Sequence, residues 1–594
     1  MDIFSILNLI GGLAMFLYGM NVMGKGLETL AGSKLEQILE KMTSNRLKAA
    51  LLGTGVTAVI QSSSAATVMV IGLVNSKIMK LRQAIGVILG AKIGTTVTAW
   101  LLSLTGISST FILLQLCKPS SFSPVLAAVG IVFLMFMKSE RKHHLGIIFI
   151  GFAVLMFGME TMSAAMAPLK DMPQFAQIMT MFSNPLFGLL AGMALTAVIQ
   201  SSSASIGILQ ALSLTTGSIT TGIAIPIVMG QNIGTCVTAM LASIGTSKNA
   251  KRAAFAHLIS TTIGALVFLT VFYSLNAVVG FEFLSEVTGP AGIAAFHTIF
   301  NVILVSCWLP LTGVLEKIVC TIVKDETDGE DTVVTEEADF SMLDERFLMM
   351  PSFALRKAYE VTVRMAHKSG EALMNAMDLL ESYDKDKAEK VFALEDEVDR
   401  FEDKIGTYLV KLSRENISSG DSHSLSMLLN CIGDFERISD HAVNLAQAAE
   451  EKSVKGLDFS PAARNELRVF SDSIREIVEN TIDVFENEDG EKALLVEPLE
   501  EVVDDLNLEM KSRHITRLRD GECTIELGFL LSDITTNFER VADHCSNIAI
   551  HIIQIDEDAI EAHGYLDTLK REENPLFKKK YAEYRDKYRL PKIN

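Results

Sequence analysis

Apolar residues run through the first half of the chain in stretches long enough to cross a membrane, whereas the second half alternates apolar and polar positions with helical spacing. A hydrocarbon core of about 30 Å needs roughly 20 apolar residues in a helix. The pattern predicts an all-α protein with a polytopic membrane domain followed by a soluble helical domain. The predicted crossings lie near residues 4–23, 83–105, 123–138, 143–162, 220–245, 254–279 and 290–323.

Two further apolar stretches, about 46–75 and 184–212, carry polar clusters at their centres. Arg46 precedes the first and Lys77 follows it, so the positive-inside rule places both of its ends in the cytoplasm. A segment with both ends on one side is re-entrant. No Lys or Arg lies between residues 170 and 248, which suits a second re-entrant hairpin entered from the opposite face. The charges also predict an outside N-terminus and a cytoplasmic second half.

The membrane half contains an internal repeat. The nine residues TAVIQSSSA at 57–65 recur unchanged at 196–204, and GAKIGTTVTA at 90–99 matches GQNIGTCVTA at 230–239. Because the two copies have opposite charge flanks, we expect them to be inverted relative to each other. This is the architecture of many secondary transporters, whose sites lie at the membrane midplane.

Composition changes abruptly after residue 323. Residues 1–323 contain 18 Lys and Arg and 10 Asp and Glu, which gives a net charge of +8. Residues 324–594 contain 34 Lys and Arg and 61 Asp and Glu, which gives a net charge of −27. An acidic soluble half repels phosphate backbones, so we exclude nucleic-acid binding.

The seven cysteines form no CxxC pair, so neither a disulfide framework nor a structural zinc site is expected. The N-terminal stretch lacks a basic n-region and a cleavage site, so we expect a retained membrane helix.

The second half repeats as well. DFERISDHAVNLA at 434–446 returns as NFERVADHCSNIA at 537–549, and LEDEVD at 394–399 resembles LEEVVD at 499–504. Two similar three-helix bundles are the simplest interpretation. The predicted domains are a membrane domain at 1–323 (repeats at about 4–105 and 143–245, further helices at 254–323), an acidic linker at 324–349, a helical domain at 350–552 and a charged C-terminal tail at 553–594.

The paired QSSSA segments place one amide and three hydroxyls in the middle of each interrupted stretch. Buried polar groups cost free energy unless each finds a partner. One interpretation is that small residues here allow close helix packing in the membrane. The duplication favours another: two clusters that meet at the midplane would present neutral donors and half-helix N-termini to a tetrahedral oxyanion.

QSSSA twice, each followed by a GxNIGT-like segment, resembles the type II sodium-phosphate cotransporter family, in the bacterial form fused to a PhoU-like domain. The resemblance covers residues 1–323 for the transporter and about 350–552 for the PhoU-like part. It implies a multi-pass protein of the cell membrane, with the PhoU-like domain in the cytoplasm, and a homodimer is a further expectation. The implied phosphate site consists of Gln61, Ser62, Ser63, Ser64, Gln200, Ser201, Ser202 and Ser203. The implied sodium ligands are Thr95, Thr96, Asn232 and Thr235, together with unwound backbone carbonyls.

Lys92 departs from the family pattern, because the second copy has Asn232 at the same place. A charge at membrane depth costs roughly 2.5–3.5 kcal/mol on insertion scales. One interpretation is that Lys92 lies near a hairpin end and extends to water. The other is that its ammonium replaces a coupling cation or serves as a counter-charge to phosphate. His297, in FHTIFN at 296–301, is either a site residue or a hydrogen-bonded packing residue.

Pairs of carboxylates at i and i+4 recur in both predicted bundles. Two like charges at this spacing are unfavourable by roughly a few tenths of a kcal/mol, which a cation between the helices would remove. Carboxylates favour hard or borderline ions such as Mg, Mn or Fe, and the resemblance to PhoU-like domains implies metal clusters on such motifs. The alternative is a solvated acidic face that Arg437 and Arg540 neutralise locally. The candidate ligands are Glu395, Asp399, Glu436, Asp440, Glu500, Asp504, Glu539 and Asp543.

Two functions fit these observations. The first is a sodium-coupled carrier of inorganic phosphate with a cytoplasmic regulatory domain. The second is a membrane phosphate sensor that transports little. The sequence contains no P-loop, GxSxG or HExxH motif, so we expect no enzyme activity. The expected partners are inorganic phosphate, sodium and the lipid bilayer, whereas the direction of net flux and the sodium stoichiometry do not follow from the sequence.

Overall fold

A computed structural model of the chain describes residues 2–31, 45–106, 118–137, 139–324, 339–415, 417–556 and 575–591. Its internal contacts divide the chain into two compact units, Met1–Val334 and Thr335–Asn594. The described residues form helices, turns and one isolated bridge between Thr220 and Val287, so the predicted all-α class is confirmed. The boundary predicted at residue 323 directly follows Ile322, where the last described helix of the first unit ends.

The first unit is a set of membrane-length helices and shorter apolar ones. Six segments among its described residues are long and apolar enough to cross a membrane: Ile3–Leu30, Leu81–Gly106, Arg141–Asp171, Thr221–Ala242, Lys248–Val279 and Pro290–Trp308. The described α-helices are α1 (Ile3–Ala31), α2 (Arg46–Ile60), α3 (Ser63–Asn75), α4 (Leu81–Ser103), α5 (Pro119–Phe136), α6 (Glu140–Met166), α7 (Pro173–Met181), α8 (Pro185–Ile199), α9 (Ser202–Thr216), α10 (Thr221–Gly234), α11 (Cys236–Ala242), α12 (Lys248–Val279), α13 (Pro290–Trp308) and α14 (Thr312–Ile322).

Two of the predicted crossings differ from these helices. The apolar stretch at 290–323 is divided, because α13 ends at Trp308 and α14 begins only at Thr312. Pro310 lies in the gap, where its missing N–H and its ring disfavour a continuous helix. The crossing predicted at 123–138 corresponds to α5, whose apolar part Ser121–Phe136 is shorter than the six segments.

Each interrupted stretch forms two short helices that together make a hairpin. The first hairpin consists of α2 and α3, and the second of α8 and α9. The first short helix of each pair packs closely along the long helix that follows. A Cβ built on Gly90 would lie 1.9 Å from the O of Ala50, and one built on Gly230 would lie 1.9 Å from the O of Leu189. Only glycine permits this approach, and it does so at equivalent positions of the two copies.

The direction of this packing shows how the hairpins turn. Along α4, Gly86, Gly90 and Gly94 approach successively later residues of α2, so the two helices run in the same direction. The helix between them, α3, therefore returns, and both ends of the pair lie near the start of α4. This is the geometry predicted for a re-entrant hairpin.

The first helices of the two copies, α1 and α6, pack antiparallel through matching glycines. A Cβ built on Gly19 would lie 2.2 Å from the N of Leu155, and one built on Gly158 would lie 2.3 Å from the N of Phe16. Phe16 and Leu155 are fully buried in a core that these two helices share with α9. Reciprocal contact of equivalent helices is what a local two-fold axis produces, and the inversion of the complete copies stays a prediction.

The second unit contains two three-helix bundles. Its described α-helices are α15 (Pro351–Glu381), α16 (Lys385–Leu412), α17 (Ser419–Val454), α18 (Pro461–Asn487), α19 (Gly490–Ala493), α20 (Val496–Arg519), α21 (Ile525–Asp556) and α22 (Pro575–Lys587). Helices α15, α16 and α17 pack together, as do α18, α20 and α21. The repeated DFER and NFER segments lie on α17 and α21, which join the two bundles.

The described parts of the predicted linker and of the predicted tail pack against the helices of the second unit. In the predicted linker, Phe340 packs against Phe401 of α16 at 4.8 Å between ring centroids. In the predicted tail, the Tyr581 hydroxyl donates to Asp505 of α20 (2.5 Å), and Tyr588 is buried. The tail residues 575–591 and the linker residues 339–349 therefore belong to the bundles, because their aromatic side chains bury apolar surface there.

Candidate functional site

The two Gln-Ser segments break their helices with the same backbone geometry. Gln61 and Gln200 adopt left-handed dihedrals, with φ 59° and ψ 18° for the first and φ 59° and ψ 19° for the second. Ser62 and Ser201 follow in extended conformation, and each Oγ accepts from the N–H three residues on, at 3.2 Å. The glutamine thus ends one helix and the serine caps the next.

These breaks create two helix N-termini inside the apolar unit. The first backbone N–H groups of a helix have no partner within it, and the helix dipole makes that end partly positive. The caps use one such group in each copy, so the remaining N–H groups and the hydroxyls of the next serines are donors for an anion. Ser63 and Ser64 are half-buried, whereas Ser202 and Ser203 are buried.

The glutamines of the two copies have different surroundings. Gln61 is buried, its Nε2 donates to the O of Ala58 (2.5 Å), and its Oε1 accepts from the hydroxyl of Thr98 (2.7 Å). Gln200 is exposed, and the equivalent Thr238 hydroxyl is buried without a partner among the described residues. Thr98 was not predicted as a site residue, although it belongs to the VTA end of the repeated segment.

A buried glutamine connects the second copy to the first. Gln210 of α9 is fully buried, and its Nε2 donates to the O of Ala99 on α4 (3.0 Å) and to the O of Pro290 (3.0 Å). Ala99 is the neighbour of Thr98, which holds Gln61. No hydrogen bond joins the two serine segments directly in the described parts of the chain, so their convergence on one ligand stays a prediction.

The candidate sodium ligands lie in regular helix. The hydroxyls of Thr95 and Thr96 donate to the O atoms of Ala91 (3.0 Å) and Ile93 (2.7 Å) on their own helix. In the second copy the helix is interrupted only at Thr235, which keeps helical dihedrals of φ −64° and ψ −21°. The backbone at these four residues is therefore not unwound, and sodium binding by their side chains together with unwound carbonyls stays a prediction. Asn232 is buried, and its Nδ2 donates to the O of Val228 (3.0 Å).

Lys92 lies in the interior of the first unit. It is 5% exposed and occupies the middle of α4, so the interpretation of a lysine that extends to water is wrong. Its Nζ donates to the hydroxyl of Thr261 on α12 (2.5 Å). The Sγ of Cys236 lies 3.5 Å from the same hydroxyl. No ion pair with an acidic side chain is described for Lys92, so its charge is available to an anion.

Two histidines are buried in the same unit. The hydroxyl of Thr261 also donates to the O of His257 (2.7 Å), one turn earlier on α12. His297 on α13 is fully buried, and neither ring nitrogen has a partner within the described ranges. The side-chain oxygen of Asn301, one turn later, is also buried without one. The interpretation of His297 as a hydrogen-bonded packing residue is therefore wrong, since its ring makes no such bond.

The carboxylates of the second unit gather into two equivalent trios. Each residue of a trio offers one oxygen within 4.8 Å of the others. Burial, and then the neighbouring carboxylates, raises the pKa of both Glu395 and Asp399. Glu436 and Glu539 stand outside the trios, and Glu539 accepts from the amide of Asn507. The trios are Glu395, Asp399 and Asp440 on α16 and α17, and Glu500, Asp504 and Asp543 on α20 and α21.

Comparisons with known proteins separate the two units as well. The profile of a family described as Na+/Pi-cotransporter matches residues 15–164 and 166–285, and that of the PhoU domain matches 362–449 and 467–552. The Escherichia coli K12 protein named "Putative inorganic phosphate export protein YjbB" is 24% identical over 560 residues, which cover 93% of this chain and 98% of that protein. "Uncharacterized protein YqeW" of Bacillus subtilis strain 168 is 33% identical over 305 residues, 51% of this chain and 94% of that protein. The crystal structure of PhoU from Pseudomonas aeruginosa is 22% identical with a TM-score of 0.32, over 34% of this chain and 96% of that one.

Proposed function

The chain belongs to the Na+/Pi-cotransporter family and carries a PhoU domain, and from this premise we propose that it transports inorganic phosphate across the cell membrane together with sodium. The family is one of transporters, not of enzymes. The observation that carries the proposal is the doubled helix break at Gln61–Ser62 and Gln200–Ser201. Two helix N-termini with adjacent hydroxyls provide neutral donors for a tetrahedral oxyanion, and neutral donors release their ligand more readily than an arginine clamp.

In this proposal Ser62, Ser63 and Ser64 bind phosphate together with Ser201, Ser202 and Ser203. Gln61 is held in its segment by the bonds to Ala58 and Thr98, and the second N–H of its Nε2 remains available to the ligand. Gln200 has an exposed side chain that is available to the ligand. The hydrogen bond from Gln210 to the O of Ala99 supports the convergence of the two copies, since it joins α9 to α4 beside Thr98.

Sodium coupling is the finer part of the proposal. Asn232 and Thr235 would contribute oxygen ligands in the second copy, and Thr95 and Thr96 in the first. Lys92 occupies the position of Asn232, so its ammonium would replace one coupling cation or neutralise the bound phosphate. Its burial and the absence of an ion pair among the described residues support both versions.

The proposed orientation in the membrane is supported by the charge pattern and by the helix packing. Antiparallel packing of the equivalent helices α1 and α6 supports an inverted arrangement of the copies. With the basic hairpin flanks inside, the N-terminus would be outside and the PhoU domain cytoplasmic. A homodimer remains part of the proposal.

We assign the PhoU domain a regulatory role. The chain leaves the first unit through Val323, whose O accepts two hydrogen bonds from the Arg252 guanidinium (3.0 and 2.8 Å). Arg252 lies in the second turn of α12, the helix that also carries Thr261, the partner of Lys92. A force on the linker would therefore reach the helix that contacts Lys92. The salt bridge of Arg82 with Glu316 (2.8 Å) fixes α14 to α4 in the same region.

A divalent cation in each acidic trio is a further part of the proposal. Three carboxylate oxygens within 4.8 Å suit a hard cation, which would offset their mutual repulsion. Mn²⁺ should raise the unfolding temperature of the wild-type PhoU domain, measured in the full-length chain. Asp399→Asn with Asp504→Asn should abolish that rise, whereas the exposed Glu389→Gln should not. Equal responses of all three proteins would contradict metal binding at the trios.

Radiolabelled phosphate flux in proteoliposomes tests the main proposal. A sodium gradient should drive phosphate movement, and collapse of the gradient should stop it. Flux is measured in both directions, because the Escherichia coli relative is named as an export protein. Saturable phosphate binding without flux would favour the alternative, a phosphate sensor. Flux that is independent of sodium would contradict the coupling ion but not the substrate.

A further inference from the structure

The interior of the first unit contains an imidazole and an amide oxygen that no described residue satisfies. His297 of α13 is fully buried, and neither of its ring nitrogens has a partner. Gln231 of α10 is also fully buried, and its Oε1 lacks one. Buried polar groups are normally hydrogen-bonded, which makes these two candidates to contact a ligand. The amide oxygen can only accept, whereas a neutral imidazole has one N–H donor and one acceptor nitrogen.

Two hydrogen bonds show that α9 and α13 pack in opposite directions. Ser213, near the end of α9, donates to the O of Thr288, which precedes α13. About one turn earlier on α9, Gln210 donates to the O of Pro290, the first residue of α13 (3.0 Å). The next turns of both helices contribute to one buried core cluster. Earlier turns of α9 therefore meet later turns of α13.

This packing brings His297 level with the first turn of α9. His297 stands seven residues after Pro290, and Ser203 stands seven residues before Gln210. Seven residues are about two helical turns and return to the same face. Both His297 and Ser203 are buried. The imidazole is thus placed beside the N-terminus of α9, where Ser202 and Ser203 are the proposed phosphate ligands.

Gln231 reaches the same place from α10. Its Nε2 donates to the O of Ser205 in the first turn of α9 (2.9 Å). Helices α10 and α13 both begin beside the bridge between Thr220 and Val287 and share the core cluster, so they run in the same direction. Gln231 stands eleven residues after Thr220, and His297 stands ten residues after Val287. The Oε1 of Gln231 and the ring of His297 therefore lie at one level.

The arrangement adds hydrogen-bond acceptors to a site that otherwise consists mainly of donors. Backbone N–H groups at a helix N-terminus bind the charged oxygens of any tetrahedral oxyanion. At neutral pH inorganic phosphate also carries a P–O–H group, whereas sulfate carries no proton. An acceptor beside the donors distinguishes the two anions, because a sulfate oxygen that faces a lone pair has no hydrogen to share.

We propose that His297 and Gln231 select phosphate over sulfate by accepting the hydrogen bond of the P–O–H group. The acceptors are the unprotonated ring nitrogen of His297 and the Oε1 of Gln231. The imidazole N–H donates to a charged oxygen of the same anion. The proposal rests on phosphate transport by the first unit and names the residues that determine its specificity.

The test is equilibrium binding of radiolabelled phosphate to the full-length chain in detergent with sodium at neutral pH, with sulfate as the competitor. The wild type should bind phosphate far more tightly than sulfate. His297→Leu and Gln231→Met, made separately, should each reduce the ratio of sulfate to phosphate dissociation constants at least about tenfold, because each removes an acceptor that only phosphate uses. His297→Gln keeps a donor and an acceptor and should retain more of this ratio than His297→Leu.

The matched control is Thr312→Val on α14. It removes another fully buried hydroxyl without a partner in the described ranges, and it should keep the wild-type ratio. An unchanged ratio in the folded His297→Leu and Gln231→Met proteins would overturn this proposal alone, as would equal weakening of phosphate and sulfate binding. A folded wild type that binds no phosphate would overturn the proposed function as well.

Discussion

Replacing Lys92 tests whether a buried charge takes part in the proposed phosphate transport. The lysine is 5% exposed, and its described polar contact is the hydroxyl of Thr261 at 2.5 Å. A hydrogen bond that involves a charged group contributes about 1.5–3 kcal/mol. If the ammonium also contacts bound phosphate, Lys92→Ala should weaken phosphate affinity by about ten- to hundredfold.

The two side chains that replace Lys92 separate its proposed roles. Lys92→Asn restores the residue that the second copy has at Asn232, so it should add a sodium ligand and steepen the sodium dependence of uptake. Lys92→Ala should lower phosphate affinity without changing that steepness. The assay is phosphate uptake into proteoliposomes, fitted for the Hill slope in sodium and the half-saturating phosphate concentration.

Thr261→Val is the control for packing, since it removes the hydrogen bond to Lys92 and keeps the charge. It should reduce phosphate affinity less than Lys92→Ala does. Equal Hill slopes and equal phosphate affinities in the wild type, Lys92→Asn and Lys92→Ala would refute the reasoning. Lys92 would then only hold α12 against α4.

Three further predictions concern the serine segments, the glutamine support and the second unit. Ser63→Ala with Ser202→Ala keeps both helix caps and should weaken phosphate binding by about tenfold or more in equilibrium titrations; unchanged affinity would exclude these hydroxyls as ligands. Thr98→Val should slow phosphate flux because it frees the buried glutamine, whereas Thr238→Val should have little effect, and equal effects would contradict the described asymmetry. A chain that ends at Val323 should still carry phosphate with altered control, and a folded truncation without flux would make the PhoU domain part of the carrier.

The repeated segments account for most of what could be predicted. Identical QSSSA residues imply identical local geometry, and Gln61 and Gln200 indeed have the same dihedrals. Local backbone conformation depends on neighbouring residues, so it follows from a sequence pattern. The helical second unit and its paired bundles follow in the same way from the recurring apolar spacing.

The errors lie where contacts between distant residues decide the outcome. The sequence indicates a lysine at membrane depth, but burial against Thr261 depends on the packing of α4 on α12. Phe340 and Tyr588 are in segments that their charge alone assigns to a linker and a tail, yet both are packed against the bundles.

The sequence by itself determined the two-part architecture, the two helix breaks and the family to which the chain belongs, because these depend on hydrophobic length, capping residues and repeated motifs. Only the tertiary structure decided that the side chain of Gln61 is hydrogen-bonded to Thr98 while that of Gln200 is exposed, although the two residues lie in identical nine-residue segments. It also decided that six metal candidates form two trios and two stand apart. The physical reason is that burial and side-chain partners are set by whichever helices pack alongside, and these differ between two copies with the same local sequence.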